Sequence, residues 1–109
     1  MTRRALDPGT IGLTRDDLPP VGQSPDDSRF DLRRWWPDDR RAMPLELEIG
    51  SGKGTFLVQH AAGRPQVNFL GIEWAREYWL KAADRLRRHG LTHVRMLHAD
   101  AVEIIRWRC

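Results

Sequence analysis

The stretch Leu45-Glu46-Leu47-Glu48-Ile49-Gly50-Ser51-Gly52-Lys53-Gly54-Thr55-Phe56-Leu57 decides the fold. Leu45–Ile49 reads as a short strand, residues 50–54 as a tight turn, and Thr55 as the opening of a helix. Gly50, Gly52 and Gly54 stand at every second position, where the lack of a Cβ lets the backbone fold sharply and come close to a ligand. A strand that feeds such a turn into a helix N-terminus is the ligand-binding corner of α/β folds.

Downstream, the pattern repeats. The first helix runs over Thr55–Ala62 and stops at Gly63 and Pro65. Residues 67–72 are almost all apolar, as a buried parallel strand requires. Residues 76–89 predict the clearest helix. Ala75, Trp79, Ala82, Ala83 and Leu86 share one face, while Arg76, Glu77, Lys81, Asp84, Arg85, Arg87 and Arg88 take the other. The basic residues gather in its last turns, where the helix dipole favours them, and Gly90 supplies the left-handed stop. A third strand is expected at 93–98, and a further helical pattern at 102–107. The order β-α-β-α-β-(α) is that of a parallel sheet with right-handed crossovers. The expected fold is a Rossmann-like sheet of about three parallel strands with flanking helices. Three strands leave much edge and face uncovered, so the chain reads as part of a larger sheet.

The first 43 residues read differently. Residues 1–44 hold six of the seven prolines, with eight arginines and eight aspartates that cancel. No apolar periodicity appears before Phe30, so 1–28 is expected to be a partly disordered or loosely docked arm that buries little. In Phe30-Asp31-Leu32-Arg33-Arg34-Trp35-Trp36, aromatics alternate with arginines. That pattern suits packing onto the domain edge, or stacking against nucleic acid. The division expected is an arm over 1–43 and an incomplete ligand-binding unit over 44–109.

Composition narrows the classes. The chain has 109 residues, enough for one small domain, with 40% hydrophobic and 30% charged residues. Its net charge of +3 favours an anionic partner only weakly. A single cysteine, Cys109, excludes an internal disulfide and a zinc cluster of thiolates, and the default setting is a reducing cytoplasm. No apolar run is long enough for a membrane span, and no secretory signal follows Met1. Neither a metal nor a membrane is expected as a partner.

Three ligand classes use a strand, a glycine turn and a helix. A nucleoside triphosphate would need G-x-x-x-x-G-K-[ST]. Gly52-Lys53 supplies the G-K pair, but position 47 is Leu, position 54 is Gly, and Glu48 would face the phosphates. Like charges at close range in a partly desolvated pocket are costly. A dinucleotide would need G-x-G-x-x-G, and the spacing here is one residue short. S-adenosylmethionine carries a sulfonium, an ammonium, a carboxylate, a ribose and an adenine. An acid in front of the glycine turn fits that cationic end. Glu48 can attract the methionine moiety, while the loop amides take its carboxylate. Glu73 ends the second strand, 23 residues after Gly50, where an acid accepts ribose hydroxyls in doubly wound folds. Asp100, after the third strand, can accept the adenine amino group. Any one such acid is usually a solvated loop residue or a helix cap; three at successive strand ends make a pattern. Lys53 is expected to face solvent or substrate, away from the sulfonium.

The residues that carry this pattern also resemble a known family. Leu47-Glu48-Ile49-Gly50-Ser51-Gly52-Lys53-Gly54, Asn68-Phe69-Leu70-Gly71-Ile72-Glu73 and Val94-Arg95-Met96-Leu97-His98-Ala99-Asp100-Ala101 together resemble the bacterial tRNA (guanine-N7)-methyltransferases. The resemblance covers about 44–107. It implies a class I methyltransferase fold, S-adenosyl-L-methionine as cofactor and tRNA as partner; the oligomeric state, monomer or homodimer, stays open. It places cofactor binding on Glu48, Gly50, Gly52, Gly54, Glu73 and Asp100, with Ser51, Trp74 and Ala101 beside them. The family's Asp-Pro-Trp motif and the basic stretch after it do not occur here. No catalytic residue is therefore expected within these 109 positions, and the isolated chain is expected to be inactive. A non-catalytic module that binds the cofactor or RNA is the competing expectation. Arg85, Arg87, Arg88, Arg106 and Arg108 are candidate contacts for tRNA phosphates.

Overall fold

The computed structural model describes residues 5–50 and 52–109. Its centre is a fully parallel sheet of four strands: β1 (Gly12–Thr14), β2 (Leu45–Ile49), β3 (Asn68–Glu73) and β4 (Val94–His98). Their order across the sheet is β1-β4-β3-β2. The helices are α1 (Pro25–Ser28), α2 (Thr55–Ala62), α3 (Arg76–Arg88) and α4 (Ala101–Trp107). The expected boundaries of β2 and α2 hold as they stand, and those of β3, β4, α3 and α4 move by one residue.

Burial follows the two-residue period of a strand covered on both faces. Phe69, Val94 and Met96 turn to the face packed by Leu57, Ala61, Trp79, Ala82, Ala83 and Leu86 of α2 and α3. Leu70, Ile72 and Leu97 turn to the other, under Leu18, Leu32, Trp36 and Ile104. Two buried indoles find backbone acceptors, as buried indoles usually do. Trp79 Nε1 donates to the Met96 carbonyl at 2.7 Å, and Trp36 Nε1 to the His93 carbonyl at 3.0 Å. The aromatic segment at 30–36 therefore packs onto the domain. Trp36 and Leu32 are buried, and Phe30 and Trp35 meet at 5.4 Å between centroids.

The sheet has four strands where three are expected. The added strand, β1, comes from the stretch in which little burial is expected. It pairs with β4 through Gly12↔Met96, Leu13↔Leu97 and Thr14↔His98. Three residues are too short to show alternation, so a strand this brief leaves no periodic signal. Ile11 and Leu18, isolated in sequence, are buried on either side of it. Two polar clasps hold this segment. Asp7 N–H donates to Asp84 at 3.0 Å, while Arg87 and Arg88 reach the same carboxylate at 3.1 and 2.8 Å. The Arg108 guanidinium donates to the Ser28 carbonyl at 2.9 Å and the Pro19 carbonyl at 2.6 Å. Asp84 thus departs from its expected place on the solvent face of α3; it is wholly buried, and among the described residues Asp7, Arg87 and Arg88 donate to it.

Candidate cofactor site

The carboxyl ends of β2, β3 and β4 come together at one edge of the sheet. Gly50, Gly52 and Gly54 all take left-handed backbone, with φ of 69°, 57° and 82°. For Gly54 there is a second constraint. A Cβ there would lie 2.9 Å from the Ala82 Cβ and 3.0 Å from its Cα, so this glycine lets the loop seat on α3. At Gly50 and Gly52 a Cβ would meet open space, and only the backbone conformation selects glycine.

A cleft of about 280 Å³ opens at this edge. Gly50, Glu73, Trp74, Asp100 and Ala101 line it, with Ile49, Ile72, Ala99 and Val102 as apolar wall. Five of the expected site residues therefore meet around one space. Register explains the meeting: Ile49 pairs with Ile72 and Glu73 with His98, so three strands end nearly level. Asp100 follows one residue beyond Ala99, whose N–H donates to the Glu73 carbonyl at 3.3 Å.

The acids differ in what they hold. Glu73 accepts from the Gly52 N–H at 2.9 Å and from the Ala75 N–H at 3.3 Å, so it ties the glycine loop to the start of α3. Asp100 caps α4 by accepting from the Val102 N–H at 2.9 Å. Glu48 stands apart. It lies on the opposite side of β2 from Ile49, with its carboxylate 3.7 Å from His60 Nδ1 on α2. It is not among the residues lining the cleft. Gly52 and Gly54 shape the loop without lining the cleft, and Ser51 lies outside the described residues. Two loop amides expected to take the ligand's carboxylate are engaged within the protein: Gly52 N–H with Glu73, and Gly50 N–H with the Ile72 carbonyl at 2.9 Å. Lys53 extends from the loop over the Tyr78 ring, with Nζ 5.8 Å from its centroid.

Sequence reasoning missed His98. Its Nε2 lies 3.0 Å from the Trp74 carbonyl, and its ring stacks on the Trp74 ring at 5.9 Å and 24°. Its place as last residue of β4, beside Glu73, was the available signal.

The lining is mostly apolar, with the acids Glu73 and Asp100 among its residues, and among the described residues lining it there is no lysine or arginine. A polyphosphate would find no counter-charge there and two like charges. Fold and topology thus define an α/β protein of the Rossmann-like kind, a parallel sheet with flanking helices.

Known proteins narrow that class. The family described as "Putative methyltransferase" matches residues 42–107, and the chain belongs to it. The tRNA (guanine-N(7)-)-methyltransferase of Nocardia farcinica is 34% identical over 94% of this chain and 37% of its own length. That of Staphylococcus saprophyticus is 32% identical over 67% of the chain and 33% of its own length. That of Rhodopirellula baltica is 44% identical over 56% of the chain and 22% of its own length. The chain spans about a third or less of each of these relatives. No helix among the described residues is long and apolar enough to cross a membrane.

Proposed function

We propose that the chain binds S-adenosyl-L-methionine in the cleft at the ends of β2, β3 and β4, as the cofactor-binding part of an enzyme that methylates N7 of guanine in tRNA. The observation that carries the cofactor reading is the meeting of two acids from successive strand ends, Glu73 and Asp100, in one cleft with no lysine or arginine among its described lining residues. The names of the relatives support tRNA and guanine N7. A cytoplasmic setting, where tRNA is modified, belongs to the same proposal.

Within this reading Glu73 accepts the ribose hydroxyls and Asp100 the adenine amino group. Each carboxylate oxygen can accept more than one hydrogen bond, so the amides already held do not exhaust them. Trp74 and Val102 exclude water from the adenine side. The bound cofactor supplies an electrophilic sulfonium methyl group. Guanine N7 has an in-plane lone pair and no proton to lose, so no general base is required of this chain. Its residues contribute alignment: they hold the donor in one orientation toward the acceptor. The acceptor site and the group that stabilises the cationic purine are assigned to no residue described here.

Of the five arginines considered for RNA, Arg87 and Arg88 are engaged with Asp84, and Arg108 is buried against Pro19 and Ser28. Arg85 donates to Thr55, which leaves the exposed Arg106, with the exposed Arg76, as the better candidates for phosphate contacts.

Titration calorimetry with S-adenosylhomocysteine tests the cofactor reading. Saturable binding by the folded chain is expected, and none at millimolar ligand overturns it. Methyl transfer to unmodified tRNA, assayed with the chain alone, tests the division of roles: no label is expected, and label at guanine N7 overturns the reading of this chain as the cofactor-binding part alone.

A further inference from the structure

We propose that Arg15 is a positioning residue for the cofactor cleft: from just beyond β1 it holds the Trp74 indole in place as the cleft wall. The inference rests on the cofactor reading above.

Topology sets up the contact. Thr14 pairs with His98, and His98 pairs with Glu73, so β1, β4 and β3 end side by side. Arg15 follows Thr14 directly, and Trp74 follows Glu73 directly. Their side chains leave the same edge of the sheet. The Arg15 guanidinium carbon stands 5.5 Å from the Trp74 centroid, over the ring. That is the geometry in which the negative face of an indole attracts a cation.

The backbone that carries Arg15 is held firmly. Thr14 N–H donates to Asp17 Oδ2 at 2.8 Å, Asp16 N–H to Thr14 Oγ1 at 3.2 Å, and Leu18 N–H to the Arg15 carbonyl at 3.1 Å. Leu18, three residues on, is buried in the core. A fixed turn therefore presents a long, exposed side chain to one ring.

Trp74 needs such support. It is 58% exposed, yet it lines the cleft with Glu73 and Asp100. An exposed indole would otherwise sample several rotamers, and its ordering would subtract from ligand affinity. His98 restrains it from β4 by stacking, and through the contact of Nε2 with the Trp74 carbonyl. Since a carbonyl only accepts, Nε2 carries the proton. Arg15 adds a restraint from a segment that contributes nothing else to the cleft.

The test uses the full chain with Arg15→Ala and Arg15→Lys, titrated with S-adenosylhomocysteine and followed by ¹⁵N spectra of the Trp74 indole, assigned with Trp74→Phe. Arg15→Ala is expected to weaken binding about two- to five-fold, the range of an exposed cation–π contact, and to shift the Trp74 indole signal of the ligand-free chain. Arg15→Lys, which keeps a cation, is expected to recover most of both. Equal affinity of wild type and Arg15→Ala overturns the proposal while leaving the cofactor reading intact. So does equal loss in Arg15→Lys and Arg15→Ala, because a cation over the ring would then not be what acts. Absence of binding by folded wild type overturns the cofactor reading, and this inference with it.

Discussion

The carboxylate of Glu73 accepts the Gly52 N–H at 2.9 Å, so the acid that faces the cleft also holds the glycine loop in shape. The two roles can be separated. Glu73→Ala is expected to weaken S-adenosylhomocysteine binding by about 1–3 kcal/mol, the usual cost of leaving polar groups unpaired. Glu73→Gln keeps a side-chain oxygen for Gly52 and is expected to restore thermal stability more fully than affinity. An unchanged dissociation constant in the alanine variant would refute the ribose role.

Gly54 and Gly50 share a left-handed backbone but not a neighbourhood. Gly50→Ala is expected to cost about 1–2 kcal/mol of stability, from the conformation alone. Gly54→Ala adds a collision with Ala82 and is expected to cost more, on the order of 3 kcal/mol. Adding Ala82→Gly to Gly54→Ala should recover part of the difference, because the Ala82 Cβ is one of the two close atoms. Urea unfolding measures all three. Equal losses in the two single variants would show that the loop does not seat on α3 as described.

Asp84 is fully buried, while Arg87 and Arg88 remain 36% and 43% exposed. Removing the carboxylate therefore leaves cations that can rehydrate, and the penalty should fall below that of a wholly buried pair. About 2 kcal/mol is expected for Asp84→Ala in chemical denaturation. Because the Asp7 N–H loses its acceptor, amide exchange at Asp7 should accelerate in this variant. Unaltered exchange there would exclude Asp84 as the anchor of the N-terminal segment.

Arg108 joins α4 to residues far earlier in the chain through two carbonyls, at Ser28 and Pro19. Arg108→Ala is expected to lower stability by about 1–3 kcal/mol and, by loosening the backbone there, to speed tryptic cleavage after the exposed Arg29. Arg108→Lys, with one compact donor group in place of a fork, should restore part of each effect. Trypsin cleavage after Arg29 at the wild-type rate in the alanine variant would show that this clasp does not secure the segment.

Much of the fold was legible because it rests on local patterns. Glycine spacing at 50–54 defines the turn, apolar runs define β2, β3 and β4, and the face from Trp79 to Leu86 defines α3. These signals repeat every two or about 3.6 residues and need no knowledge of what lies across the core. β1 had no such signal. Three residues cannot show a period, and its stability comes from β4, more than 80 positions away.

The site divides in the same way. The sequence by itself determined that one acid ends β3, another follows β4 and a glycine turn follows β2, since each is a matter of order along the chain. Tertiary structure decided which of them meet. Strand register levels Glu73 with His98 and brings Asp100 and Trp74 to one cleft, while the alternation of β2 turns Glu48 toward His60 and α2. Parallel pairing likewise carries Arg15 to the Trp74 ring. Such contacts depend on which strands become neighbours, and the burial of both sheet faces selects those neighbours once the whole chain packs together.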